Sequence, residues 1–433
     1  MQYLIAVIFT AITIIIYKVT TDWMSLARIN AFMWLFFCWA YILIYPYDSH
    51  SAGLIWLILL CVIFAFGECV GEKVKVRKTY AVKQTAYARS KDDKHFKVVP
   101  SLWLLVILMV FLAVVASFMQ LKSRGYGISV FFNLEEFVKM NAEVALDRYT
   151  GGDSVGFLIN VLSSFRYSSA LLSGYLINVA NKKRYKFICC LVIIPVLMDM
   201  AINNTKLGII SSLVLFIIGY FTGYMFFKGR APKLTFKFFF VAVIAMLALF
   251  VVLICTLVVR QGEVSGKTFS AAIDRFGVYA VGHMEAFNYW LSEVYKPGNY
   301  SLGVNTFMGP FSLLGIVHRE QGVYELIEGL STNVFTSYRG VISDWGVIGG
   351  LIVMFILGII GGISKKSILN NGRMKTVYAA IAFTVLLSFV VSPWVYNSYW
   401  IAFIIFMCAL GYNSLVVNMN FSYAKKSQGK SAL

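Results

Sequence analysis

Long runs of apolar residues alternate with short polar segments along almost the whole chain. Because a helix rises about 1.5 Å per residue, about 20 apolar residues cross the hydrocarbon layer of a bilayer. Eleven runs approach this length, and each predicts a membrane-spanning helix. They cover about 2–18, 29–46, 52–70, 101–120, 156–180, 187–203, 207–227, 238–259, 343–363, 376–393 and 399–417. The pattern predicts an all-α, polytopic membrane helix bundle that forms one transmembrane domain over 1–433.

Two segments between predicted spans are too long to be simple connectors. The first covers 121–155, and its apolar spacing from Phe132 to Leu146 predicts a short amphipathic helix on the membrane surface. The second covers 260–342, before the ninth span. It has a helix-like aromatic stretch from Phe269 to Trp290, a turn-rich part at 297–310 and a short apolar piece from Phe311 to Val317. A connection of this length usually carries function.

Composition and charge placement support the membrane interpretation. The chain is 59% hydrophobic and only 13% charged, whereas soluble domains carry about 25% charged residues. Of its 38 Lys and Arg residues, 26 fall in the odd-numbered connections and the C-terminal tail. The positive-inside rule places these segments in the cytoplasm, with the N-terminus outside and the C-terminus cytoplasmic. This asymmetry explains the net charge of +18 without a nucleic-acid partner.

Several kinds of chemistry have no sequence pattern to support them. All seven cysteines lie within or beside apolar runs, so no disulfide framework is expected. No Cys/His group has metal-ligand spacing, and no glycine-rich phosphate-binding motif is present. We therefore expect neither a metal site nor a cofactor.

Cations at the outer membrane level are the sharpest functional signal. The charge bias disfavours them on that side, so a bound anion such as a diphosphate would explain them; arginine binds such groups with a planar fork of donors. Two structural explanations stay open: an ion pair between Arg166 and Asp199, and headgroup contact by Arg260 and Lys206. The outer cations are Arg166, Lys206, Arg260, Arg319 and Arg339.

Short polar stretches next to two spans carry a resemblance to a known family. Asn203-Asn204-Thr205-Lys206 opens the seventh span, and 332–339 leads to Asp344-Trp345-Gly346 before the ninth. With many spans and one dominant outer loop, the chain resembles the Wzy-type O-antigen polymerases, which join oligosaccharide repeat units. The family often has Arg where this chain has Lys206, and a Lys cannot form the same fork.

The resemblance implies a fold, an activity and a location. The fold would be GT-C-like, and the protein a glycosyltransferase of the bacterial inner membrane. It would transfer a polyprenyl-diphosphate-linked glycan to the non-reducing end of a new carrier-linked repeat unit at the periplasmic face. Its partners would be the polyprenyl-diphosphate-linked oligosaccharide, membrane lipids and a polysaccharide chain-length regulator.

The implied reaction assigns roles to particular residues. Electrostatic stabilisation of the departing diphosphate would fall to Arg339, Arg260 and Arg166. Lys206, Arg319, Arg275, Tyr338 and Asn333 would complete the diphosphate and glycan site. A general base would be an outer carboxylate or histidine, with four candidates that the sequence does not separate. These candidates are Asp344, Glu285, His283 and His318.

Two other functions fit a chain of this build. One is an O-antigen ligase-type glycosyltransferase, which shares the outer-loop architecture. The other is a transporter, such as the lipid-linked oligosaccharide flippase. Transporters commonly contain paired repeats and polar sites at the membrane midplane. The odd span count and the lack of an internal duplication count against transport.

Overall fold

The computed structural model describes residues 1–20, 22–45, 50–76, 98–150, 156–233, 235–259, 266–317, 332, 334–370 and 372–430. These residues form helices and their connections, and no strand occurs among them. The helices are α1 Gln2–Val19, α2 Leu26–Ile44, α3 Ala52–Lys73, α4 Ser101–Ser123, α5 Leu134–Thr150, α6 Phe157–Leu176, α7 Lys183–Cys190, α8 Ile193–Asn203, α9 Lys206–Lys228, α10 Phe236–Val259, α11 Gly266–Tyr289, α12 Met308–Leu313, α13 Ser337–Asn370, α14 Lys375–Leu386 and α15 Asn397–Lys430.

Eight helical segments in the described part of the chain are long and apolar enough to cross a membrane. Two further helices, α10 and α14, contain shorter apolar stretches, Phe250–Val259 and Lys375–Leu386. The eight segments support a multi-pass helical membrane protein, and the count of eleven spans stays a prediction. They are Gln2–Val19, Leu26–Ile44, Ala52–Lys73, Ser101–Ser123, Lys183–Asn203, Lys206–Lys228, Ser337–Asn370 and Asn397–Val416.

Helix boundaries depart from the sequence pattern at two places. The run 187–203 is divided between α7 and α8, which are separated by a turn at 191–192. The run 376–393 is helical only as far as Leu386, and an irregular segment follows. Proline disfavours helical geometry in the residue before it and cannot donate a helix hydrogen bond. Accordingly, Ser392, which precedes Pro393, has non-helical backbone angles, with φ −56° and ψ 124°.

The two long segments between spans contain the helices that their patterns indicate. Helix α5 covers most of the amphipathic stretch of the first segment, and its Asn141 side-chain amide donates to the carbonyl of Ala201 over 3.2 Å. Helix α11 covers the aromatic stretch of the second segment and packs against α2 and α3. The apolar piece that follows contains only the short helix α12. Both long segments therefore contribute helices that pack on the bundle.

Glycines bring α3 and α13 into backbone contact. A Cβ atom placed on Gly67 would lie 2.3 Å from the carbonyl oxygen of Phe355, and one on Gly71 would lie 2.1 Å from that of Ile359. On the facing helix, a Cβ on Gly358 or Gly362 would lie 2.3 Å from a carbonyl oxygen of α3. Four-residue spacing of small residues on both helices is the pattern that allows membrane helices to approach closely.

A second close pair joins α6 and α9 in the same way. A Cβ on Gly219 would lie 2.2 Å from the carbonyl oxygen of Leu171, and one on Gly223 would lie 2.6 Å from that of Tyr175. In both close pairs, residues further along one helix face residues further along the other, so the helices run parallel. Parallel pairing agrees with the sequence pattern, which makes α3 and α13 the third and ninth spans, and α6 and α9 the fifth and seventh.

We expect Gly71→Ala to destabilise the protein because the added methyl group would meet the backbone of α13. Overpacking of this kind typically costs about 1–3 kcal/mol. Gly411→Ala in α15 is the matched control, since a Cβ there has no atom within 4 Å in the described part of the chain. Thermal unfolding of the two purified variants, monitored by size-exclusion chromatography, measures the difference in their unfolding temperatures. Equal unfolding temperatures would contradict the close packing.

The connections between helices collect at two ends of the bundle. At one end, the indole of Trp23 donates to the carbonyl of Pro232, and the Lys375 ammonium lies 3.7 Å from the ring centre of Phe226. These contacts bring together the α1–α2, α9–α10 and α13–α14 connections, and Lys or Arg residues lie in or near each of them. We call this the basic end. At the opposite end, His50 lies 3.5 Å from the carboxylate of Glu293.

Buried charges fasten the helices together at the basic end. The Glu68 carboxylate accepts hydrogen bonds from the backbone amides of Leu26 (3.0 Å) and Ala27 (2.6 Å), and so caps the start of α2. A carboxylate is favoured there by the partial positive charge of a helix N-terminus. The Lys365 ammonium of α13 binds the carboxylates of Asp22 at 3.0 Å and Glu72 at 2.8 Å. Acids and cations at this end thus bind each other.

Candidate functional site

A polar cluster joins α4, α6, α8 and α9 at the opposite end; we call it the Arg166 cluster. The Arg166 guanidinium donates from Nη1 to Oδ1 of Asp199, and from Nη2 to the hydroxyl of Tyr167 over 2.9 Å. The side chains of Arg166 and Asp199 are 15% and 4% exposed. For Arg166, the sequence left open both diphosphate binding and an ion pair with Asp199. The ion pair is present.

Further hydrogen bonds hold Asp199 in place. The Asn203 amide donates to Oδ1 of Asp199 over 2.7 Å and exchanges two 2.8 Å hydrogen bonds with Gln120. The Thr205 hydroxyl lies 3.3 Å from Oδ2 of Asp199. Among the described residues, the buried Nε of Arg166 has no hydrogen-bond acceptor. The cluster therefore keeps one guanidinium donor for a further acceptor.

The polar stretch before α9 forms a tight turn. Asn204 adopts left-handed backbone angles, with φ 49°, and its backbone amide donates to the carbonyl of Met200 over 2.7 Å. Asparagine tolerates this conformation better than most residues, and it commonly ends helices. The turn stops α8 and starts α9 at Lys206, whose side chain is partly buried. The Asn-Asn-Thr-Lys sequence thus forms the turn between α8 and α9 and also places the positive charge of Lys206 there.

A second cluster surrounds Arg339 in the first turn of α13; we call it the Arg339 cluster. The Arg339 guanidinium carbon lies 4.1 Å from the ring centre of Phe335 and 5.3 Å from that of Trp290. Only 6% of Arg339 is exposed. Cations over aromatic faces are attracted electrostatically, more strongly when desolvated. Aromatic rings therefore hold this guanidinium in a buried position.

Tyr338 and His283 lie behind Arg339, and both pack against the indole of Trp34. The ring centre of Trp34 is 5.3 Å from that of Tyr338 and 6.2 Å from that of His283. His283 is 2% exposed, also contacts Phe37 and Phe389, and its Nε2 has no hydrogen-bond partner within the described part of the chain. Both side chains belong to an aromatic core of α2, α11 and α13.

The two candidate carboxylates have different surroundings. Glu285 is partly exposed and lies beside the hydroxyl of Tyr45; burial, and secondly this carboxylate, raise the pKa of Tyr45. Asp344 is fully buried and accepts hydrogen bonds from the backbone amides of Asn305 (3.0 Å) and Thr306 (2.7 Å). Asp344 therefore fastens the 301–307 turn to α13.

An interruption of α13 follows Asp344. Gly346 has φ 73°, a left-handed value that glycine adopts without a steric penalty. A Cβ at this position would also lie 3.0 Å from the ring of Tyr300. The break and the Asp344 hydrogen bonds together set where the 301–307 turn sits.

The segment 387–399 lies between the two clusters. The carbonyl of Ser388 accepts a 2.7 Å hydrogen bond from the amide of Ser337, next to the Arg339 cluster. The ring centre of Tyr399 is 4.8 Å from that of Tyr167, next to the Arg166 cluster. Sequence reasoning missed Tyr399, Ser388 and Gln120; polar residues inside apolar runs were the available signal for them. The two clusters flank one segment of the chain.

Several predicted site residues cannot be placed. Arg260, Arg319, Asn333 and His318 lie outside the described residues, and Arg275 lies in α11 with its side chain outside them. Within the described part, no group of three His, Cys, Asp or Glu side chains could hold a metal ion. The roles assigned to the site residues stay predictions.

Comparison with known proteins adds no relative. No protein-family model, no curated protein and no solved structure matches this chain.

Proposed function

We propose that this chain is an oligosaccharide repeat unit polymerase of the O-antigen type. It would transfer a glycan from a polyprenyl-diphosphate carrier to the non-reducing end of a new carrier-linked repeat unit. The carrier-linked oligosaccharide would be both donor and acceptor, and a polysaccharide chain-length regulator would be a partner in the membrane.

One observation carries the proposal: two guanidinium groups, that of the largely buried Arg166 and that of the buried Arg339, lie at the end of the bundle opposite the basic end. A buried cation in a membrane protein is costly unless it has a partner or a use. Asp199 balances the first charge, and aromatic rings contact the second. An arriving diphosphate would find fork-shaped donors here at a level where phosphate groups of lipids also lie.

The reaction would join two sugars by substitution at the anomeric carbon. The acceptor hydroxyl forms the new bond to that carbon as the bond to the diphosphate oxygen breaks and its electron pair leaves with the diphosphate. Stabilising this developing charge is the main electrostatic task, which we assign to Arg339 and Arg166, with Arg260, Lys206 and Arg319 in support. Arg275, Tyr338 and Asn333 would complete the glycan site.

We assign the general base to Glu285, which would take the proton of the acceptor hydroxyl. Both oxygens of Asp344 already accept backbone hydrogen bonds, and His283 is enclosed by rings. Glu285 is the partly exposed member of these three. A base needs to reach the proton that it removes, so exposure to the substrate side favours Glu285.

The finer architecture belongs to the same proposal. Eleven spans with a GT-C-like arrangement would place the basic end in the cytoplasm, the N-terminus outside and the C-terminus inside. The protein would lie in the bacterial inner membrane, with the Arg166 and Arg339 clusters at the periplasmic face. The parallel direction of α3 and α13, and of α6 and α9, supports this topology.

Deletion of the protein in a cell that makes O-antigen tests the function. We expect lipid A-core to carry a single repeat unit, because units are still flipped and ligated but no longer joined. Gel analysis of lipopolysaccharide measures this outcome, with re-expression of the wild-type chain as the control. A complete loss of repeat units from lipid A-core would contradict the polymerase and favour the ligase or the flippase.

A further inference from the structure

A cleft opens at the basic end, where the α1–α2 and α9–α10 connections meet. Its volume is about 260 Å³. The Trp23 ring lies 5.3 Å from that of Phe221, and the Trp23 indole binds the carbonyl of Pro232. These two contacts hold the connection after α9 against the bundle. Four aromatic side chains and two cations line most of the cleft: Trp23, Tyr220, Phe221, Tyr224, Arg230 and Lys233.

The two cations of the cleft differ from other cations at this end. Arg28 donates to the carbonyl of Tyr17 over 2.6 Å and also contacts Thr20, while Lys365 binds two carboxylates. Arg230 and Lys233, in contrast, have no carboxylate or hydrogen-bond acceptor among the described residues, and both are exposed. Their donors therefore face the cleft without a protein anion to neutralise them.

The position of the cleft indicates where its ligand comes from. It lies between the end of α9 at Lys228 and the start of α10 at Phe236. The ends of apolar spans lie at the depth of lipid headgroups. Beyond its start at the cleft, α10 has exposed apolar side chains, including Phe240, Ile244 and Leu247. A ligand with an anionic head and apolar tails would contact both surfaces.

We propose that this cleft binds the phosphodiester headgroup of an anionic phospholipid from the adjacent leaflet. Arg230 and Lys233 would bind the phosphate oxygens, and the aromatic rings would line the rest of the headgroup site. Basic pockets between membrane helices are known to take such headgroups. The volume lies below the range of about 300–1,000 Å³ for pockets that take drug-sized molecules, which suits a compact headgroup. The site is independent of the proposed polymerase activity.

The test is native mass spectrometry of the purified full-length protein titrated with phosphatidylglycerol and, separately, with phosphatidylcholine. We expect phosphatidylglycerol to be retained, and Arg230→Gln/Lys233→Gln to weaken its binding about 25-fold, since each nearby basic residue contributes a factor of about five. The matched control is Lys182→Gln/Lys183→Gln, which removes the same charge from exposed positions at the start of α7. We expect that pair to bind phosphatidylglycerol as the wild type does.

A third variant separates a built cleft from general attraction to basic residues. Trp23→Phe keeps every charge but removes the indole donor to Pro232, and we expect phosphatidylglycerol binding to weaken about fivefold, the effect of one hydrogen bond. Equal losses from both charge-removing pairs would overturn the proposal, as would equal retention of phosphatidylcholine. Displacement of the lipid by inorganic phosphate would assign the cleft to a free anion and overturn it too.

Discussion

Cells whose only copy of the protein carries Arg339→Gln are expected to lose the long polysaccharide ladder and retain single repeat units on lipid A-core. Removing one donor that stabilises developing negative charge typically lowers a rate by about 10²–10³-fold. Arg339→Lys keeps the charge but loses the planar fork, so we expect an intermediate ladder. Gel analysis of lipopolysaccharide, with protein amounts matched by immunoblot, measures both variants.

Two controls make the Arg339 result interpretable. Arg184→Gln removes an exposed arginine from α7 at the basic end, and its ladder should match the wild type. Size-exclusion chromatography of purified Arg339→Gln tests whether the fold survives the loss of the contacts with Phe335 and Trp290. A full ladder from a folded Arg339→Gln protein would remove Arg339 from the proposed site.

Asp199→Ala is expected to destabilise the protein by about 3–5 kcal/mol, because it leaves the buried charge of Arg166 without its counter-ion. It also deprives Asn203 of an acceptor. Unfolding by SDS titration in mixed micelles measures the change in the free energy of unfolding. Glu293→Ala is the control: its carboxylate is 54% exposed and pairs with His50, so its loss should cost less than about 1 kcal/mol.

The double variant Arg166→Met/Asp199→Ala distinguishes a structural ion pair from a ligand site. Replacing both partners of a buried pair removes the uncompensated charge, so most of the stability should return. If Arg166 binds diphosphate as proposed, the restored protein still fails to make long ladders. A double variant that is stable and makes full ladders would assign Arg166 to the fold alone.

Local sequence features predicted most of the helices. Most of the amphipathic stretch from Phe132 to Leu146 lies within α5, which begins at Leu134, and the aromatic stretch from Phe269 to Trp290 coincides closely with α11. Such patterns depend on neighbours within a few turns, which the sequence contains. The apolar pattern did not predict that α14 ends at Leu386, because an apolar run has the same composition whether it is helical or irregular.

Pairing between distant side chains was harder to predict. Arg166 and Asp199 are 33 residues apart, and the sequence offered their ion pair only as one of two possibilities. The sequence did not indicate that Tyr399 packs beside Tyr167, or that Asp344 binds the 301–307 turn. Each depends on how far a helix is rotated and displaced against its neighbour.

Apolar length and the distribution of Lys and Arg along the chain were sufficient for an all-helical, multi-pass membrane protein with a basic end. Those properties are sums over residues, so they do not depend on which helix touches which. The tertiary structure alone assigned the partners: glycine-mediated contact of α3 with α13, a carboxylate for Arg166 and aromatic rings for Arg339. Spans that are apolar on every face can rotate and pair in many ways, and only their packing selects one.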